Sequence, residues 1–230
     1  MTPVQVANAW ACYLAAALTL AGLLLRGRAH FCRFFTCYLA VMLACESAVT
    51  LWPETFWNWS FWLFTQTIYD ALKIATALEL GYWVFLGFPG AAYTARGVVF
   101  LFLLATLVAV LALPSETGQG GFLLGGLRAR LELGTAWTFT ALAALVWWYR
   151  LPLPSMYRAI ILGYVSYLFV FSTLMKLATD DGIARQLATL RPIAYTAVCW
   201  LWAWEAWRRE PALEVDPAVI ARLQPWKAAC

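Results

Sequence analysis

The chain has 230 residues, 63% hydrophobic and only 12% charged, with a mean hydropathy of +0.72 and a formal net charge of +4. Soluble domains carry roughly 45–50% apolar and about 25% charged residues, so the composition argues against an ordinary soluble fold. The basic residues are dispersed among short joints, which speaks against a nucleic-acid partner. A lone histidine, His30, apart from any cysteine cluster, speaks against zinc or haem.

Seven apolar segments can be read along the chain, at 5–25, 34–52, 61–86, 97–113, 132–149, 159–178 and 192–207. Crossing a bilayer takes about 20 mostly apolar residues, and open strands cannot satisfy their backbone in lipid. The expected fold class is therefore all-α, a polytopic membrane protein forming a bundle of seven transmembrane helices. Residues 1–207 would form one transmembrane domain, and 208–230 a cytoplasmic tail in which 216–226 is either a short interfacial helix or a frayed end.

No basic residue precedes the first segment and Arg26, Arg28 and Arg33 follow it, so it is expected to stay as a helix and not be cleaved as a signal peptide. In the second, Tyr38, Met42, Glu46 and Val49 share a stripe, with Glu46 about 9 Å below Trp52. The joint PETFWNWS places Trp52, Trp57, Trp59 and Trp62 together. They suit an interfacial belt, or the roof of a pocket for an apolar or cationic ligand.

The third segment carries the densest polarity. At 100° per residue, Trp62, Gln66, Tyr69, Lys73 and Thr76 share one face with Asp70 at its edge. Lys73 lies about 16 Å below Trp62, near mid-bilayer. Asp70 and Lys73 are three residues apart and can pair, whereas Glu79 points away and needs another partner. The sixth segment adds Lys176 near its outer end. A charge at mid-bilayer costs about 2.5–3.5 kcal/mol on insertion scales. Glu46, Asp70, Lys73 and Lys176 are accordingly expected to gather as a neutral cluster, either setting helix packing or lining a polar cavity. Glu205 is expected to pair with Arg208 or Arg209 at the surface.

With the amino terminus outside, ten Lys and Arg fall on the inner side and four on the outer, which gives an N-out, C-in orientation. The six cysteines form no CxxC and are expected to act as small packing residues. The joints RGRAHFCR and RLPLPSMYR are alike, hinting at a 3+1+3 repeat. No catalytic signature is complete. DDGIAR has the wrong spacing for the metal-binding motif of CDP-alcohol phosphatidyltransferases, and GxSxG, HExxH and a Walker loop are missing.

The stretch ALELGYWVFLGFPGAAYTAR, 77–96, together with the seven-helix layout, is similar to small uncharacterised bacterial seven-helix integral membrane proteins. The layout also distantly resembles the seven-helix sensor regions that precede bacterial histidine kinases. That resemblance implies sensing, with any output supplied by a separate protein. The expectation is thus a non-enzymatic protein of the bacterial inner membrane, without a cofactor or metal. It would bind a small lipophilic or zwitterionic molecule through Glu46, Asp70, Lys73, Lys176, Gln66, Tyr69 and Trp62. Its partners would be the lipid bilayer and another membrane or cytoplasmic protein. The alternatives are a small secondary transporter and an accessory subunit of a larger membrane complex.

Overall fold

A computed structural model describes residues 3–86, 97, 98, 100, 101, 104, 105, 108, 123–151, 153–177 and 181–209. Side chains are described throughout these except at 123–130, 171–177, 181–189 and 191. The secondary structure of the described residues is helical: α1 Pro3–Leu25, α2 Arg33–Leu51, α3 Pro53–Phe56, α4 Trp59–Leu86, α5 Leu123–Trp148, α6 Ser155–Leu177 and α7 Asp181–Trp207. The expected segment 97–113 is represented by seven residues, all helical. The 216–226 helix lies outside the described residues.

Among the described residues, α1 and α2 are long and apolar enough to cross a membrane. The same test is passed by a signal sequence or by a core helix of a soluble protein. The 28-residue α4 is longer than either, but Gln66, Asp70, Lys73 and Glu79 dilute its apolar character. Two helices begin earlier than expected, α5 at Leu123 and α7 at Asp181. The expected boundaries follow the onset of charge, yet the Leu, Ala and Arg upstream are good helix formers in any solvent. Pro192, expected at the start of the last helix, lies inside α7. There it lacks the N–H that would bond the carbonyl of residue 188.

The chain falls into two compact units. One comprises residues 1–79 and 177–208, the other 80–176 and 209–230.

In the first unit, α1 packs most extensively against α7. Cys12, Ala15, Ala16, Thr19 and Gly22 are the buried small residues of α1, and Cys199, Ala203 and Ala206 those of α7. Small residues let helix backbones approach closely, which favours packing where no hydrophobic force separates helix from surroundings. A Cβ on Gly22 would stand 3.0 Å from Ala206 Cβ and 3.0 Å from Trp207 Nε1. Trp207 Nε1 also donates to the carbonyl of Leu18 at 2.9 Å.

The same two helices are tied at their carboxyl ends. Arg26 Nη1 donates to the carbonyl of Arg208 at 3.0 Å, and Arg28 donates to those of Glu205 and Arg208 at 3.2 and 3.1 Å. These guanidinium groups satisfy carbonyls that have no intrahelical partner and complement the negative end of the α7 dipole. Glu205 and Arg208 form the expected ion pair at 3.4 Å, although Glu205 is mostly buried and not on the surface. The partner that Glu79 needs is the amino end of α2. Its carboxylate accepts from the N–H groups of Arg33 and Phe34, both at 2.9 Å.

The second unit packs aromatic pairs between α5 and α6. Phe139 stacks on Tyr164 with centroids 4.6 Å apart, and Trp137 meets Phe169 edge-on at 5.8 Å.

The two joints that look alike in sequence also stop their preceding helices alike. After α1, Gly27 takes φ +64°, while Arg28 and Gly27 donate to the carbonyls of Leu23 and Leu24. After α5, Arg150 takes φ +48°, while Leu151 and Arg150 donate to those of Val146 and Trp147. Both are Schellman closures, but only the first has a glycine at the left-handed residue.

Three outcomes follow for unfolding measured in detergent or lipid. Gly22→Leu should cost about 1–3 kcal/mol by forcing α1 and α7 apart. Glu79→Ala should lose about 1 kcal/mol through the uncapped α2 amides, with Glu79→Gln losing less. Arg150→Gly should stabilise the chain by about 1 kcal/mol, because glycine carries no Cβ penalty at positive φ.

Candidate functional site

A cleft of the first unit lies where α2 ends, α3 turns and α4 begins. Pro53 opens α3 at a position where its missing N–H costs nothing. Asn58 then caps α4, its Oδ1 accepting from the N–H of Phe61 at 2.8 Å and its Nδ2 donating to the carbonyl of Thr55 at 2.8 Å. This turn sets Trp59 and Trp62 one helical turn apart, stacked with centroids 4.7 Å apart. Phe56 and Phe61 close against each other at 4.9 Å.

The resulting cleft encloses about 440 Å³. Aromatic rings at positions 56, 57, 59, 61 and 62 form one side, and Cys45, Glu46, Thr65, Gln66 and Tyr69 supply polar groups on the other. Four of the residues expected from sequence, Trp62, Gln66, Tyr69 and Glu46, therefore share one wall system.

Asp70 and Lys73 do not belong to that wall. They are 8% and 7% exposed, and Lys73 Nζ donates to Asp70 Oδ1 at 2.8 Å. Of the predicted polar stripe of α4, Tyr69, Asp70, Lys73 and Thr76 are buried, whereas Gln66 is half-buried and Trp62 exposed. Lys176 lies in α6, but its side chain is outside the described residues.

Glu46 makes no ion pair with Lys73 among the described contacts. Its Oε2 accepts a hydrogen bond from the Tyr13 hydroxyl of α1 at 3.0 Å. Among the described residues the ion pairs are Lys73–Asp70 and Arg208–Glu205, and Glu46 is in neither. Lys73 is close in sequence register but already satisfied by the acid on its own helix. Among the described residues, the carboxylate of Glu46 thus faces an aromatic cleft with one hydroxyl donor and no cation.

A second cleft of about 380 Å³ runs along the other side of α2, between α1 and α7. Gln5, Asn8, Cys12, Tyr13, Met42, Glu46, Pro192, Tyr195 and Thr196 line it, so Glu46 is common to both clefts. Deeper between α2 and α7, Tyr195 donates to Met42 Sδ at 3.0 Å and lies 2.7 Å from the Tyr38 hydroxyl. In that contact either hydroxyl can be the donor. The expected stripe Tyr38, Met42, Glu46 thus holds together, turned toward α1 and α7. Sequence reasoning missed Tyr13 and Tyr195, since no local pattern tells which distant hydroxyl meets a given acid. No group of three His, Cys, Asp or Glu that could hold a metal is found among the described residues.

The isolation of the Asp70–Lys73 pair has a direct test. Asp70→Asn or Lys73→Met alone should each destabilise the protein by about 3–5 kcal/mol by stranding a buried charge, while the double variant should lose much less. Reversible unfolding in mixed micelles reads both. Comparison with protein-family models, with curated proteins and with solved structures finds no match for this chain.

Proposed function

We propose that the chain is a multi-pass protein of the bacterial inner membrane, with seven transmembrane helices oriented N-out and C-in. In this reading the α2–α3–α4 cleft binds a small amphiphile through its ammonium group, and a separate partner reads the bound state. The apolar surface supports the membrane setting. Trp10, Leu14 and Leu24 on α1 and Phe64 on α4 are all more than half exposed, and lipid is the solvent that such faces suit. Trp52, Trp57 and Trp59 are exposed at one end of the first unit and Trp204 at the carboxyl end of α7, as expected of residues at two membrane–water interfaces.

The observation that carries the binding proposal is Glu46, a carboxylate without a cation among the described residues, in a cleft lined by six aromatic rings. Aromatic faces attract cations through the ring quadrupole, and a carboxylate beside them supplies the counter-charge. An anionic headgroup would find no described cation in that wall. Stacked Trp59 and Trp62 give a flat apolar surface for the tail or body of the ligand. Chemistry on the ligand is not part of the proposal, and recognition alone accounts for the residues present.

The test is isothermal titration of the full chain in nanodiscs with alkyltrimethylammonium and alkyl sulfate of equal chain length. The ammonium compound should bind and the sulfate should not. Glu46→Gln should weaken binding about tenfold or more, equivalent to about 1.4 kcal/mol, and Trp59→Leu with Trp62→Leu should weaken it further. Equal binding of both headgroups, or an unchanged affinity in Glu46→Gln, would overturn the assignment. Topology is checked separately by reporter fusions, which should place the Arg150 joint inside and the Trp57 joint outside.

A further inference from the structure

Two buried cysteines far apart in sequence meet beside the second cleft, which Cys12 lines. Cys12 Sγ on α1 and Cys199 Sγ on α7 stand 3.7 Å apart across the seam where those helices pack most closely. Both are free thiols. Two sulfurs bonded to one ion at about 2.3 Å, at a near-tetrahedral angle, would stand about 3.8 Å apart. The spacing therefore fits chelation without moving either helix far.

The surroundings add two independent features. Met42 lines the same cleft as Cys12, and its thioether is held by the Tyr195 hydroxyl, which engages one of two sulfur lone pairs. Thr196 lines it too. Five other buried or half-buried helix threonines, at 19, 76, 135, 138 and 140, spend their hydroxyl on the carbonyl four residues back. Thr196 does not: its hydroxyl is buried, bonds no backbone carbonyl and lies against Cys12. A buried hydroxyl kept off the backbone is one that a ligand or a charged sulfur can use.

We propose that Cys12 and Cys199, with Met42 as a third sulfur donor, form a binding site for a soft monovalent metal ion of the Cu(I) type. Thiolate and thioether ligands select soft ions. Zinc would require four nitrogen, sulfur or carboxylate ligands, and the described residues do not assemble such a set. The 380 Å³ cleft gives the ion a route to Cys12, with the Glu46 carboxylate on its wall to attract a cation. On binding, each thiol that becomes a thiolate ligand releases its proton to solvent, and no electron is transferred. The Thr196 hydroxyl then donates to the new sulfur charge.

The experiment is an anaerobic Cu(I) titration of the reduced full-length protein in nanodiscs against a chromophoric Cu(I) chelator. One ion per chain should be withdrawn from the chelator. Cys12→Ser and Cys199→Ser should each lower the affinity about hundredfold, and Met42→Leu and Thr196→Val about tenfold. Cys37→Ser should change nothing. X-ray absorption of the copper-loaded wild-type protein should show two or three sulfur ligands near 2.3 Å, a readout that does not depend on any variant folding. A copper shell of oxygen and nitrogen alone would overturn the proposal, as would copper retained by the Cys12/Cys199 double variant or lost on changing Cys37.

Discussion

Lys73 spends its charge on Asp70, three residues earlier on the same helix, and both side chains are buried. A buried charge must find its counter-ion nearby or be strongly destabilising, and here α4 carries both members itself. That pairing occupies Lys73, and Glu46 on α2 is held by the Tyr13 hydroxyl beside an aromatic cleft. The cation preference proposed for the site therefore leans on an ion pair that does not line it.

The rest of the first unit serves to hold α2 between two clefts. On one side, the Asn58 cap and the α3 turn bring five aromatic rings over the end of α2. On the other, small residues draw α1 against α7, while Arg26 and Arg28 lock the carboxyl end of α7 to the turn after α1. Glu79 fixes the amino end of α2 to α4. With both its ends constrained, α2 presents Tyr38, Met42 and Glu46 along one stripe, and Glu46 can touch the contents of either cleft.

What was legible in the sequence was local. The buried stripe of α4 follows from helical periodicity, because Gln66, Tyr69, Lys73 and Thr76 repeat at the spacing of one face. The Asp70–Lys73 pair follows from a three-residue offset that brings both side chains to one surface. The start of α7 was misplaced because a proline and a run of charges mimic a boundary, although helical geometry tolerates both. The pairings Tyr13–Glu46, Tyr38–Tyr195 and Cys12–Cys199 join residues 33, 157 and 187 positions apart. Nothing in the chain's periodicity specifies which distant side chain meets which. For the same reason the six cysteines read as scattered, and only folding brings two of them to 3.7 Å.

The claim that Glu46, and not Asp70, is the acid that meets the ligand is tested most directly by infrared difference spectroscopy. The full chain in nanodiscs would be recorded with and without an alkyltrimethylammonium compound. The expected result is one carboxyl band that shifts on binding, vanishes in Glu46→Gln and persists in Asp70→Asn. A ligand-induced band that survives in Glu46→Gln and is lost in Asp70→Asn would contradict it.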